Sequence, residues 1–425
     1  MLDIQIIRND PDRVRAALRQ RGRDHVSVDA VLRQDILRRE LLTKLQKAQA
    51  ASKNASKAIG ALMHAGKKEE AKAAITRSAQ LKEETLALGA QARDAEAALE
   101  ELLLDIPNIP HGSVPQGRSA SDNVVLGVEG TPATFDFTPL PHWELATRHG
   151  IIDFERGAMV TGAGFPFYLG KGARLQRALI SFFLDLATTK GGYTEVQAPL
   201  FVNEASARGT GQLPDKEGQM YAIGLDGFYA VPTAEVPLTN FYRNDIIPEE
   251  ALPVKICGYT PCWRREAGSY GQSVRGLNRL HQFDKVELVQ IVTPEKSYDA
   301  LEELLADAER AVRMLGLPYR RLLMCAGDMG FNQAKQYDLE VWSAGQNRYL
   351  EVSSVSNFTS YQAARMQVRY RPATGGKPQH VHTLNGSALA LPRIVAALLE
   401  SNQQADGSVA IPERLIPYTG FDRIG

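Results

Sequence analysis

The sequence predicts an α+β chain, in which a domain built on a largely antiparallel sheet follows a long antiparallel coiled-coil helical arm. Three observations predict it. Residues 29–104 hold no proline and carry apolar or small residues at alternating spacings of four and three. A Pro/Gly-rich segment, Asp105 to Gly117, ends that pattern. Beyond it, short apolar runs bounded by turn residues alternate with a few helical stretches, as expected of strands joined by short connections with helices at the ends.

The first 28 residues suit a small packing base, with "NDPDRVRAAL" offering an Asp/Pro helix start. The arm then has two seams. Leu41, Leu45, Ala48, Ser52, Ala55, Ile59 and Leu62 form one; Ala71, Ala74, Ser78, Leu81, Thr85, Leu88, Ala92, Ala95, Leu99 and Leu102 form the other. Gly66 lies between them, so an antiparallel hairpin is the economical arrangement. Charge is polarised along it: from Arg38 to Lys82 there are eleven Lys/Arg against three Glu, and from Glu83 to Asp105 seven acids against Arg93 alone. A basic tip half suits phosphate contacts along a polyanion, with Lys44, Lys47, Lys53, Lys57, Lys72 and Arg77 as candidates. A solvated coiled coil with incidental charge bias is the alternative. The linker divides the chain into residues 1–110 and 111–425.

Composition narrows the classes further. Lys+Arg and Asp+Glu balance at 49 each, so no global field demands a nucleic acid or a membrane surface. Three cysteines without CxxC spacing exclude a disulfide scaffold and suit a reducing cytoplasm. The N-terminal stretch has no export pattern, and no apolar run is long enough to span a bilayer. "GFPFYLGKGA" imitates a phosphate loop, but its glycine interval is wrong and Gly172 stands where Ser or Thr is required. His380 and His382 alternate on one strand without a third metal ligand nearby. Ser353 and Ser354 lack the GxSxG context of a hydrolase elbow.

The chemistry concentrates in "TPCWRREAGSYGQSVRGLNRLHQFDKVEL", Thr260 to Leu288. As a hairpin, its first strand ends at Trp263, Arg264, Arg265 and Glu266, and its glycine-punctuated turn spans Gly268 to Gly276. Its second strand turns His281, Phe283, Lys285 and Glu287 to one face. A guanidinium for phosphate or carboxylate, an aromatic plane and a carboxylate able to hold an ammonium then share a cleft. "EVSSVSNF" adds Glu351, Ser353 and Ser354, hard oxygens suited to Mg²⁺ carried by phosphates. "HTLNGSALALPRIVAALLE" brings small polar residues to a helix start with Arg393 in its first turns, an anion site. Together these describe a nucleoside triphosphate held by arginines and Mg²⁺ on an antiparallel sheet, without a P-loop.

That combination resembles the class II aminoacyl-tRNA synthetases, and in detail the seryl-tRNA synthetase family, over essentially the whole chain. Residues 258–288 look like motif two, 383–400 like motif three, and 173–200, with "YTEVQAPL", like motif one. "GTGQLP" and "PTAEVPLTN" resemble segments of the seryl enzymes. The resemblance implies activation of serine by ATP to seryl-adenylate and pyrophosphate, then transfer of seryl to the 3′ end of tRNA(Ser), with tRNA(Sec) as a further substrate. It implies an ATP site of Arg264, Arg265, Glu266, Phe283, Glu351, Val352, Ser353, Ser354 and Arg393. Within that site Arg264 bridges the serine carboxylate and the α-phosphate, Glu266 and Phe283 hold adenine, and Arg393 holds the γ-phosphate. Glu351 and Ser354 are the implied Mg²⁺ ligands, and no structural zinc is implied. A serine site of Thr233, Ala234, Glu235, Arg264, Glu287, Asn385 and Ser387 follows likewise, as do a homodimer formed through motif one and an arm that binds tRNA. The chain departs from the family pattern at Ala364, where arginine is expected, at Arg265, where a smaller residue is usual, and in "DKEGQMY". A ligase acting on a carrier protein would share the catalytic half but have no use for residues 29–104. A catalytically silent relative would have lost Arg264, Glu266, Glu351 or Arg393, and all four are present.

Overall fold

The computed structural model describes residues 1–266 and 274–425. They form two compact units, Met1–Pro107 and Asn108–Gly425. The first holds four helices: α1 (Ile4–Asn9), α2 (Pro11–Gln20), α3 (Val28–His64) and α4 (Lys68–Leu104). Each of the first three starts at a side-chain cap, Asp3, Asp10 and Ser27, whose oxygen accepts from an otherwise orphaned N–H of the first turn. Gly66, at φ +73°, makes the turn between α3 and α4.

The long helices pack along the seams the spacing predicts. Ala48, Ala71, Leu81, Ala92, Ala95 and Leu99 are buried, and the remaining seam positions are half-buried. Small residues dominate the contact, so the helices approach closely; Leu45 lies 4.0 Å from where a Cβ on Gly89 would sit. Lys44, Lys47, Lys53, Lys57, Lys72 and Arg77 are all exposed. At the base, Asp35 is fully buried on α3 and takes both Nε and Nη2 of Arg8 at 2.7 and 2.6 Å, with Arg39 Nε at 3.1 Å. This bidentate contact ties α1 to α3.

The second unit is built on an eight-stranded sheet. Its strands are β1 (Val124–Glu129), β2 (Thr194–Glu195), β3 (Val254–Trp263), β4 (Gln282–Val292), β5 (Tyr319–Leu323), β6 (Lys335–Ser343), β7 (Arg348–Thr359) and β8 (His382–Ala390). The order is β1-β5-β6-β7-β8-β4-β3-β2, antiparallel throughout except for the short β2 beside β3. Six helices matter to the site: α5 (His142–Arg148), α6 (Lys171–Thr189), α7 (Glu235–Asn240), α8 (Ser297–Met314), α9 (Tyr361–Met366) and α10 (Leu391–Ser401). Leu175 and Leu179 of α6, Leu301 and Leu304 of α8, and Ile394 and Leu398 of α10 share one core with Val286, Leu288 and Val355 of the sheet. Helices therefore close one face of the sheet over its centre. No helix of the described residues is long and apolar enough to cross a membrane.

Three segments differ from the sequence expectation. "TEVQAPLFV" divides into β2 and a separate strand, Phe201–Asn203, in a different sheet; Pro199 between them has no N–H for a ladder. "GFYAVPTAEV" is a strand only over Phe228–Ala230 and then turns into α7, where Glu235 N–H donates to Thr233 Oγ1 at 3.1 Å. The polar residues of "HTLNGSALA" lie on β8, which pairs with β4 on one side and β7 on the other, and the helix begins only at Leu391, with Pro392 in its first turn. The glycine turn expected from Gly268 lies outside the described residues as far as Ser273.

Replacing Asp35 by asparagine should cost the helical unit about 2 kcal/mol, because Arg8 and Arg39 lose charge-assisted hydrogen bonds to a carboxylate. The arginines hold the Asp35 carboxyl below its ordinary 3.8, chiefly through the Arg8 hydrogen bond. That stability is present above the ordinary value and is lost as pH falls through the depressed one. Denaturant unfolding followed by helical circular dichroism checks this; an unchanged midpoint in Asp35→Asn would refute it.

Candidate active site

The register of β3 and β4 builds the floor of the site. Phe283 pairs with Cys262, Lys285 with Thr260 and Glu287 with Gly258, so the three alternate β4 side chains share a face. They line a cavity of about 620 Å³ together with Thr233, Glu235, Arg264, Glu266, Glu351, Val352, Ser353, Ser354, Asn385, Ser387 and Arg393. The volume is that of a small-molecule site. Ala234 and Arg265 are not in this lining. Ala234 is fully buried, and Arg265 lies over the Tyr221 ring at 5.9 Å. His281 precedes β4 and stacks on Phe165 at 5.5 Å instead.

At one end Arg264 donates from Nε to Pro232 O at 3.2 Å and stands over the Phe283 ring at 5.3 Å. Glu266, in a left-handed conformation at φ +47°, meets Arg279 Nη1 at 2.9 Å. Arg393 donates from Nε to Asn278 O at 3.0 Å and from Nη1 to Glu351 O at 2.6 Å. Ser354 Oγ donates to Glu351 Oε1 at 3.1 Å, leaving one partly exposed carboxylate and one hydroxyl side by side. Those are the hard oxygens that Mg²⁺ takes when phosphates and water supply its other ligands. Behind them, burial and then the Glu351 charge hold the Asp338 carboxyl well above its usual range. His382 and His380, the other metal candidates, are otherwise engaged: His382 Nδ1 faces Ser297 Oγ at 2.8 Å and His380 Nδ1 faces Val368 O at 3.3 Å.

The other end is deeper. Glu287, nearly fully buried, pairs with the buried Lys285 ammonium and accepts from Thr233 Oγ1 at 3.1 Å. Glu235 accepts from Gln362 Nε2 at 2.6 Å, while Gln362 Oε1 accepts from Thr383 Oγ1 at 2.7 Å. Burial first, and the Glu287 charge second, push Glu235 up to about 7. Two acidic side chains thus lie near one ammonium, which pairs with Glu287. Asn385 Nδ2 is buried there with no hydrogen-bond partner among the described residues, a donor left for a ligand. The arrangement fits a nucleotide at one end and a small molecule carrying an ammonium at the other.

Sequence reasoning missed three participants. Arg279 and Asn278 sit in the run between the turn and β4, where no periodicity assigns a side. Gln362 comes from α9, 127 residues from Glu235, and carries no local signal.

Known proteins resemble the chain throughout. Residues 1–110 match the seryl-tRNA synthetase N-terminal domain, and residues 224–402 match the class II core domain of tRNA synthetases for G, H, P, S and T. A serine–tRNA ligase of Salinibacter ruber is 61% identical over 426 residues, spanning 100% of this chain and 99% of that protein. The crystal structure of seryl-tRNA synthetase from Pyrococcus horikoshii complexed with ATP superposes with a TM-score of 0.90 at 34% identity, covering 100% of this chain and 99% of that one. The cytoplasmic serine–tRNA ligase of Naegleria fowleri in complex with AMP gives 0.85 at 28% identity, covering 100% and 98%.

The raised Glu235 carboxyl makes a sign-definite prediction. Its neutral form stabilises the fold fully below the ordinary 4.5, and that contribution is lost as pH rises through about 7. Glu235→Gln should therefore flatten the fall in melting temperature between acid and alkaline buffer. An unchanged slope would show that Glu235 does not titrate there.

Proposed function

The chain belongs to the seryl-tRNA synthetase family, and from that premise we propose how its cavity carries out serine–tRNA ligation. Serine enters the deep end with its ammonium between Glu235 and Glu287, supplying the positive charge that the two carboxylates lack. Thr233, Asn385 and Ser387 surround the rest of it. A buried polar site of this kind rejects an analogue lacking the hydroxyl by up to about 10⁴–10⁵, because its own groups are left unpaired. ATP lies at the arginine end, with adenine on Phe283 near Glu266 and the terminal phosphate on Arg393. Arg264, over the Phe283 ring, bridges the serine carboxylate and the α-phosphate.

Serine's carboxylate then attacks the α-phosphorus in line, forming the seryl-adenylate and releasing pyrophosphate. No protein base is needed, since the nucleophile is already ionised. Catalysis is positioning and neutralisation of charge by Arg264 and Arg393. Mg²⁺ held by Glu351 and Ser354 would neutralise phosphate charge. A hydroxyl at the 3′ end of tRNA(Ser) next takes the seryl group, and AMP leaves. The exposed basic half of the arm is the tRNA surface, with tRNA(Sec) a second substrate. The enzyme works in the cytoplasm as a homodimer joined through the motif-one segment, residues 173–200.

The observation that carries the reading is the joint lining of one cavity: Arg264 and Arg393 at its phosphate end, and Glu235 and Glu287 around Lys285 at its serine end. Serine-dependent ATP–pyrophosphate exchange tests it. Exchange should appear with serine and fall at least a hundredfold in Arg264→Ala, on the scale of losing a transition-state donor, ~10²–10³; faster exchange with another amino acid would overturn the substrate. Removing residues 46–88 trims both arm helices at one level, because Leu45 lies beside Gly89. That deletion should spare exchange and abolish charging of tRNA(Ser), and equal loss of both would deny the arm its role.

A further inference from the structure

The segment that leads into β4 carries Asn278 and Arg279 to the nucleotide end of the cavity, yet no strand ladder holds it. What holds it is a buried polar network. His142 of α5 and Glu400 of α10 are both fully buried. Leu277 N–H donates to His142 Nε2 at 2.8 Å, so that nitrogen carries no proton. His142 Nδ1 therefore carries it and donates to Glu400 Oε1 at 2.7 Å. The carboxylate also accepts from His142 N–H at 2.9 Å, from Gly345 N–H at 3.0 Å, from Gln346 Nε2 at 3.2 Å and from Ser343 Oγ.

The same segment is fitted to the imidazole by shape. A Cβ on Gly276 would lie 2.3 Å from His142 Nε2, and Gly276 sits at φ +67°. Arg275 stands over the Trp143 ring at 4.7 Å, and the Asn278 and Gln346 amides exchange hydrogen bonds at 2.9 and 3.2 Å. One residue beyond Leu277, Asn278 O receives Arg393 Nε, and Arg279 then reaches Glu266. Helix α10 thus grips the segment twice, directly through Arg393 and, two turns later, through Glu400 and His142.

We propose that His142 and Glu400 are positioning residues for the nucleotide half of the reaction: a neutral imidazole, fixed by the carboxylate, sets the 275–279 segment so that Asn278, Arg279 and Arg393 meet ATP in register. Neither residue lines the cavity. The proposal rests on the reading of that cavity as the ATP site. It predicts an effect on one substrate only, because Thr233, Glu235 and Glu287 hang from α7, its preceding turn and the body of β4.

Exchange kinetics on the full-length enzyme separate the two levels. Serine-dependent exchange by the wild type tests the site reading; the variants test the network. His142→Ala should raise KM for ATP about tenfold, the scale of one buried N–H left without an acceptor, with KM for serine unchanged. His142→Gln offers an amide oxygen near the Nε2 position and should recover most of the loss, while Glu400→Gln, which turns an acceptor-only group into a partial donor, should resemble alanine. Equal rises in both KM values, an unchanged KM for ATP, or identical alanine and glutamine variants would overturn the proposal. If the alanine variant does not fold, the wild type still decides: ring ¹⁵N shifts should give His142 as the Nδ1–H tautomer, and the opposite tautomer or an imidazolium would sink it.

Discussion

The sidedness of β4 is the constraint on which the rest of the site depends. Successive side chains of a strand point to opposite faces, so each residue given to the cavity commits its neighbours to the helices. Phe283, Lys285 and Glu287 face the cavity, while Val286 and Leu288 enter the core with Leu175 and Leu179 of α6. Asp284, between them, accepts from Tyr259 Oη at 2.6 Å and from Gln176 Nε2 of α6 at 2.8 Å. A slip of one residue would bury two charges in an apolar core and turn two aliphatic residues to the cavity. The ten-residue pairing with β3 resists that slip along its whole length.

Charge follows from the same geometry. Glu287 is affordable in so buried a place only because Lys285, two residues earlier on the same face, pairs with it. Glu235 arrives from a different element, and burial first and the Glu287 charge second raise its carboxyl. At the other end Arg264, Arg279 and Arg393 converge from two strand ends and a helix, Arg279 on Glu266 and Arg393 beside Glu351.

The arm obeys simpler physics. Its contacts are local in register, repeat every three or four residues, and rely on alanine-rich approach rather than on interlocking large side chains. Its buried charge, Asp35, sits at the base where α1 packs, and the lysines farther out are exposed, Lys67 and Lys72 beside Glu70 and Glu69.

Local repetition explains how much could be read without a structure. The seam from Leu41 to Leu102, the break at Gly66 and the shared face of Phe283, Lys285 and Glu287 are periodic features, and a period of 3.5 or 2 survives in the order of residues whatever the rest of the chain does. The turn of Thr233 into α7, the halving of "TEVQAPLFV" and the strand nature of "HTLNGSALA" were not legible, because each depends on which neighbour completes the backbone hydrogen bonds. Gln362 beneath Glu235, Arg279 on Glu266, and His142 joined to Glu400 across 258 residues belong wholly to tertiary structure. The order of residues decided which side each side chain faces; only the folded path decided what it meets there, since contact between distant segments is set by how the sheet and its helices close on one another.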